Sequence, residues 1–305
     1  MKDWAVERDW WRRRIMTRQR CGRRFGTPFV RQPEGVLAPR CDDKGEVPDT
    51  AMNLENEDVR RFWDAEACVT ARCIVGEREE LTREWFQRIE DHRYSLEPCI
   101  HAVAQFTRHR GKKVLEVGVG AGTDHVQWAR AGAVCYGIDL TDKAIETTKA
   151  HLALHGCHSV LQRVDAEELP FPDNFFDIVY SWGVIHHSAH PERIIREIRR
   201  VLKPRGTFIG MMYARRSLVV VKLWFKHALL AGKPWRSWAD CVAHHMESPG
   251  TKAYTMAELK RLWADFSTFE TRKFLTPYDY NRFPDWIRPW LPDRLGWFIA
   301  IKAGK

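Results

Sequence analysis

The residues best placed to do chemistry stand in one short run: Glu116-Val117-Gly118-Val119-Gly120-Ala121-Gly122, a carboxylate followed by three glycines at alternate positions. Glycine lets the backbone turn sharply and approach a bound molecule closely. A strand ending in such a loop, with a helix behind it, is an arrangement that takes nucleotides at the carboxyl edge of a parallel sheet. Asp139 follows 17 residues after Gly122. At the end of a second strand, its carboxylate can accept hydrogen bonds from both hydroxyls of a ribose. Nicotinamide-dependent oxidoreductases share this logic, but their fingerprint is G-x-G-x-x-G, whereas the spacing here is G-x-G-x-G. Further on, Ser181-Trp182-Gly183-Val184-Ile185-His186-His187 sets two adjacent imidazoles after a fourth strand. One of them could serve as a base for a hydroxyl acceptor; the alternative is that they cap or pack the loop.

These residues need a sheet to hold them in place. Strand and helix patterns alternate from residue 114 onward: strands at 114–117, 134–138, 159–164, 177–181 and 207–213, with helices near 123–131 and 142–154. Ile194, Ile195, Ile198, Val201 and Leu202 recur at helical spacing, and Pro204 and Gly206 stop that helix. Such alternation predicts an α/β fold: a Rossmann-like, seven-stranded, mostly parallel sheet with helices on both faces. The last two strands are expected at 269–275 and 297–302, after an insertion at 214–265 that exceeds one crossover helix. Residues 56–110 read as a helical lead-in and candidate lid, with Trp85, Phe86, Ile89, Val103 and Phe106 as its apolar stripe. Residues 1–55, basic and broken by Pro28, Pro33, Pro39 and Pro48, read as an irregular or disordered extension. Family-like sequence begins at Met52, so residues 1–51 are expected to be dispensable, as an extension upstream of the native start.

Between the third and fourth strands lies Asp165-Ala166-Glu167-Glu168-Leu169-Pro170-Phe171-Pro172-Asp173-Asn174-Phe175-Phe176-Asp177, and after the next helix Val201-Leu202-Lys203-Pro204-Arg205-Gly206. Together with 114–122 and 137–140, these segments resemble the class I S-adenosylmethionine (SAM)-dependent methyltransferases, in particular the type 11 methyltransferase group, over residues 112–212. The resemblance implies SAM as cofactor. Gly118, Gly120 and Gly122 would turn around its methionine portion, with Glu116 at the base of the loop. Asp139 would bind the ribose, Leu140 would pack on the adenine, and Asp165, beside Ala166, would hold the adenine amino group. A fainter likeness at 62–68, 93–98 and 248–252 points to bacterial methyltransferases of no known substrate.

Methyl transfer is an in-line displacement in which positioning carries much of the catalysis. No catalytic residue is therefore fixed by the sequence, and His186 and His187 remain the candidates for a base. Tyr94 and Trp182 are expected near the acceptor, together with the tryptophan-rich 214–265 insertion. The segment after the fourth strand lacks the Asn/Asp-Pro-Pro-aromatic motif of methyltransferases that act on nucleobase amines. The expected acceptor is a small molecule. The alternative is a methyltransferase-fold protein that binds or modifies RNA or protein through its basic arm.

Charge bears on that alternative. The net +9 is concentrated in residues 1–40, which hold 11 Lys/Arg against 4 Asp/Glu. The other 265 residues hold 38 against 36, too even a balance for a nucleic-acid groove. No pair of the eight cysteines has C-x-x-C spacing. His151, His155, Cys157 and His158 could suggest a metal, but a solvated helix end is the simpler reading, and no metal is expected. No apolar run approaches a membrane span or a signal-peptide core, so a reducing cytoplasm is the expected setting.

Overall fold

The computed structural model describes residues 56–65, 72–248, 250–281 and 283–305. The expectations for residues 1–55, including the dispensability of 1–51, lie outside the described residues. Seven strands form one sheet: β1 (Lys113–Val117), β2 (Val134–Asp139), β3 (Val160–Arg163), β4 (Phe176–Trp182), β5 (Leu202–Tyr213), β6 (Thr268–Phe274) and β7 (Phe298–Gly304). Their order is β3-β2-β1-β4-β5-β7-β6, with β7 alone running antiparallel to its neighbours. The Rossmann-like, mostly parallel sheet expected from the sequence is therefore present.

The period of two along each strand sorts side chains between two helical layers. Leu115, Val179, Phe208 and Ile299 pack with Ile194, Ile195 and Ile198 of helix Pro191–Val201 and with Leu259 of helix Met256–Leu262. Val114, Ile178, Tyr180 and Ile209 face the opposite layer, where Trp128, Ile100, Val103 and Phe106 close the core. Burying a side chain of this kind stabilises the fold by about 1.5–3 kcal/mol. The lead-in helix Arg83–Leu96 places Trp85, Phe86 and Ile89 against Ala150 and Leu154 of helix Asp142–Leu154.

One boundary differs from expectation. Pro204 and Gly206 do not separate helix from strand; β5 begins at Leu202, immediately after the helix. Phe176 pairs with Leu202 but Ile178 with Thr207, so Lys203–Gly206 bulge from the ladder. Arg205 sits there at φ 66°. No helix among the described residues is long and apolar enough to cross a membrane.

Candidate active site

The strand order reverses between β1 and β4, and the crevice beyond their carboxyl ends is where open α/β sheets bind ligands. A cavity of about 1130 Å³, counting the space open to solvent at its mouth, lies there. Its walls include Glu116–Ala121, Ile138–Thr141, Val164–Ala166 and Trp182–Val184, joined by Asn56, Trp63, Arg93 and His187. Of the expected cofactor residues, Glu116, Gly118, Gly120, Asp139, Leu140, Asp165 and Ala166 all stand on this wall, whereas Gly122 does not.

The three glycines differ in what requires them. All have positive φ, at 81°, 54° and 74° for Gly118, Gly120 and Gly122. A Cβ on Gly118 would lie 2.3 Å from Val184 Cγ2, and one on Gly122 would lie 3.0–3.1 Å from Thr148. A Cβ on Gly120 would meet nothing within 4 Å. Gly118 and Gly122 thus answer to the packing of the protein itself, and Gly120 fronts open space. An approach surface of this kind fits a cofactor laid against the loop.

Asp139 ties the loop to β2. Its Oδ2 accepts from Gly120 N at 3.0 Å, and its Oδ1 accepts from Thr141 N at 3.1 Å and Thr141 Oγ1 at 3.0 Å. Burial pushes its pKa up, and these bonds pull against that shift. At the β3 end, Asn56 Nδ2 donates to Asp165 Oδ2 and to Glu167 Oε1, both at 2.8 Å, and Asn56 Oδ1 accepts from Ala189 N at 2.9 Å. Glu167 also accepts from Ser188 Oγ at 2.6 Å and His190 N at 3.1 Å. Asn56 is buried and precedes helix Glu57–Ala65, so the lead-in is bonded directly to the cavity rim.

Beneath the loop lies a set of buried ionisable groups. The His125 ring bridges Glu116 (Nδ1 to Oε2, 3.0 Å) and Ser159 (Nε2 to Oγ, 2.8 Å), while Ser159 Oγ donates to the Cys135 carbonyl at 2.9 Å. Burial pushes Glu116 well above the usual carboxylate range and His125 down to about 3. A neutral pair satisfies every partner: Glu116 donates to Nδ1, and Nε2–H donates to Ser159. Nearby, Arg93 Nη2 donates to Asp124 Oδ2 at 2.7 Å, and Tyr180 and Tyr94 hydroxyls donate to the same carboxylate at 2.8 and 3.0 Å. Burial disfavours the Arg93 charge, but Asp124 and Glu97 outweigh it and hold the guanidinium well above its ordinary range. Trp182 Nε1 donates to Glu97 Oε2 at 2.5 Å, which fixes the indole on the wall. Tyr94 is absent from the wall; its hydroxyl is spent on Asp124, and its neighbour Arg93 lines the cavity instead.

The two histidines part company. His186 is fully buried, lies against Tyr213 with ring centroids 3.8 Å apart, and does not line the cavity. Neither ring nitrogen has a hydrogen-bond partner among the described residues, and burial pushes its pKa well below the ordinary value. His187 is on the wall, edge-on to Trp63 at 5.3 Å. Its Nδ1 lies 2.8 Å from Ser248 Oγ and 3.1 Å from Thr251 Oγ1, and its Nε2 lies 3.4 Å from Glu247 Oε2. The Nδ1 contacts to Ser248 and Thr251 orient the ring, and Nε2 makes no hydrogen bond among the described residues.

His151 is not at a solvated helix end. It is 1% exposed, stacked on Phe86 at 4.0 Å, with Nδ1 3.0 Å from the Ala121 carbonyl. One turn earlier, Thr148 Oγ1 donates to the Gly120 carbonyl at 3.1 Å. Helix Asp142–Leu154 thus backs the glycine loop through two side chains. Asn56, Trp63, Arg93, Thr148, Ser248 and Thr251 are among the site residues that sequence reasoning missed.

The match to known proteins falls on this same region. Residues 115–210 match the family described as a methyltransferase domain. The uncharacterized methyltransferase YcgJ of Bacillus subtilis is 35% identical over 98 residues, 32% of this chain and 39% of the relative. A demethylmenaquinone methyltransferase of Symbiobacterium thermophilum is 32% identical over 149 residues, 44% of this chain and 59% of the relative. The chain thus spans less than two thirds of the length of these relatives. The solved magnesium protoporphyrin IX methyltransferase of Synechocystis, with bound S-adenosylhomocysteine, is similar at a TM-score of 0.52 and 16% identity. That likeness covers 82% of this chain and 99% of the other, and it is one of fold alone. Residues 115–210 accordingly carry a methyltransferase domain, and its fold is shared with a solved methyltransferase that holds S-adenosylhomocysteine.

Proposed function

We propose that the chain transfers the methyl group of SAM to a small, flat, largely apolar acceptor bound in the cavity between β1 and β4. The observation that carries this reading is Gly120: the loop presents bare backbone to open space, while its flanking glycines are already required by packing. In this reading Asp139 holds the ribose hydroxyls, Leu140 packs on the adenine, and Asp165 takes its amino group with Asn56 steadying the carboxylate. Gly118–Ala121 and Glu116 meet the methionine end, and Arg93 stands beside it. The cofactor, when bound, supplies an activated methyl on a sulfonium. What remains for the protein is to exclude water and hold the acceptor atom in line.

Trp63, Trp182 and Val184 line the rest of the cavity. Aromatic walls of this kind suit a planar acceptor. The demethylmenaquinone methyltransferase relative points the same way by its name. His187 acts here as a wall residue oriented through Nδ1, which is turned to Ser248 and Thr251, while its Nε2 makes no hydrogen bond among the described residues and has Glu247 Oε2 at 3.4 Å. Residues 56–110 serve as the lid, anchored by Asn56. The described cysteines Cys99, Cys135, Cys157 and Cys241 are all free, which supports a reducing cytoplasm as the setting.

Two measurements test this. Calorimetry with SAM, S-adenosylhomocysteine and NAD should show binding of the first two only. Incubation of extract with SAM labelled in the methyl group should then move label into a small organic product. Label confined to RNA or protein, or binding of NAD in place of SAM, would defeat the assignment.

A further inference from the structure

We infer that the outward face of residues 221–235 docks on a lipid bilayer that carries anionic headgroups. Helix Leu218–Trp224 continues into a wider π turn over Phe225–Leu229. Val221, Phe225 and Leu229 recur every fourth residue, which sets them along one face. They are 44%, 50% and 43% exposed, and Leu230 and Trp235 beyond them are 69% and 77% exposed. Every residue from 229 to 235 is exposed. Contiguous apolar surface of this kind marks an interaction site.

The charge around it selects the partner. Residues 215–238 contain six Lys/Arg and no Asp/Glu; Arg215 is paired with Glu258, Arg236 with Asp240, and Lys222 donates to the carbonyls of Tyr278 and Asp279. Lys226 and Lys233 are exposed and lie between the apolar side chains in sequence. A basic segment with Phe, Leu and Trp on its exposed side is the composition of an interfacial helix, which sinks its apolar side chains to the headgroup–acyl boundary while the cations meet anionic lipid. The segment is also held firmly enough to act as a wedge. Trp224 Nε1 donates to the Arg236 carbonyl at 2.9 Å, Lys233 N donates to the Ala228 carbonyl at 2.8 Å, and His227 stacks on His245 at 4.0 Å. Val220, Ala228, Cys241 and Val242 are fully buried on the inner side, so the apolar residues left outside are surplus to packing.

The test is flotation of the full chain with vesicles of phosphatidylcholine alone and of phosphatidylcholine mixed with phosphatidylglycerol. The intact protein should float with the mixed vesicles, float less with the neutral ones, and come off as salt rises. Phe225→Asp with Leu230→Asp, and separately Lys226→Glu with Lys233→Glu, should each lower the partition coefficient by about tenfold or more. Tryptophan emission of the intact protein should shift to the blue on binding. Circular dichroism should show both double variants folded. Residues 1–55 are present in every protein compared, so their own basic charge does not enter the difference. Equal flotation of variants and parent would overturn the inference. So would absence of flotation together with a parent dimer that the Asp double variant splits, because a second copy would then cover this face.

Discussion

Helix Asp142–Leu154 backs the glycine loop through His151, and this makes the site sensitive to acid in a way that can be calculated. Burial pushes the His151 pKa to about 4, below an ordinary 6.5, against the opposing bond to Ala121. Because the folded value lies below the unfolded one, the stability linked to this group is complete above about pH 6.5 and is withdrawn as the pH falls toward 4. At pH 5 the unfolded histidine is almost wholly protonated and the folded one almost wholly neutral. Going from pH 7 to pH 5 should therefore cost about 2 kcal/mol through this residue alone. Other buried histidines titrate in the same direction, so the readout is a difference. His151→Asn keeps a donor for the Ala121 carbonyl but loses the ring stacked on Phe86. Urea unfolding should show it less stable than the parent at pH 7, by about 1–3 kcal/mol, with a decline between pH 7 and 5 that is shallower by about 2 kcal/mol. Parallel pH profiles for parent and variant would refute the claim that His151 is neutral and buried in the fold.

Three further outcomes follow from the site geometry. Gly120→Arg should fill the space in front of the loop and abolish SAM binding measured by calorimetry, and Asp139→Ala should weaken it by about 1.5–3 kcal/mol, with circular dichroism unchanged. Asn56→Ala removes the amide that bridges Asp165, Glu167 and Ala189, so thermal unfolding should show a loss of about 1–3 kcal/mol and the affinity for S-adenosylhomocysteine should fall with it. His186→Phe should preserve turnover, because that ring lies off the cavity wall and neither of its nitrogens has a partner among the described residues, whereas His187→Ala should lower turnover with little change in SAM affinity. The reverse pattern in a label-transfer assay would show that the wrong histidine has been placed at the acceptor.

The strands and the loop were legible because their signals are local. The run Glu116–Gly122 and Asp139 fall at the ends of short apolar segments, and the alternation that marks those segments needs only a few residues to show. What stayed hidden depends on distant parts of the chain. Asn56 reaches Asp165 across 109 residues, and His187 meets Ser248 across 61, contacts that leave no periodic trace. His151 is an intermediate case. Ala144, Thr148 and His151 follow one another at helical spacing, beside Ile145 and Leu152, so the buried stripe of the helix could have flagged it. Reading it together with His155, Cys157 and His158 as a cluster by composition obscured that stripe. For the histidine pair after β4, the short 3₁₀ turn Ile185–His187 decides which ring meets the cavity, and a single residue of rotation reverses the answer.

The unequal demands on the three loop glycines can be read out without any knowledge of the acceptor. A library randomised at positions 118, 120 and 122 and sorted only for folded protein should keep glycine at 118, where Val184 blocks a side chain, and favour it at 122, where Thr148 crowds one on a positive-φ backbone. Position 120 should drift, chiefly to Asn and Asp, which tolerate its left-handed backbone at small cost. The same library sorted for methyl transfer should hold glycine at all three. The gap between the two sorted populations would then mark, residue by residue, the part of this loop that exists for its ligand and the part that exists for the fold.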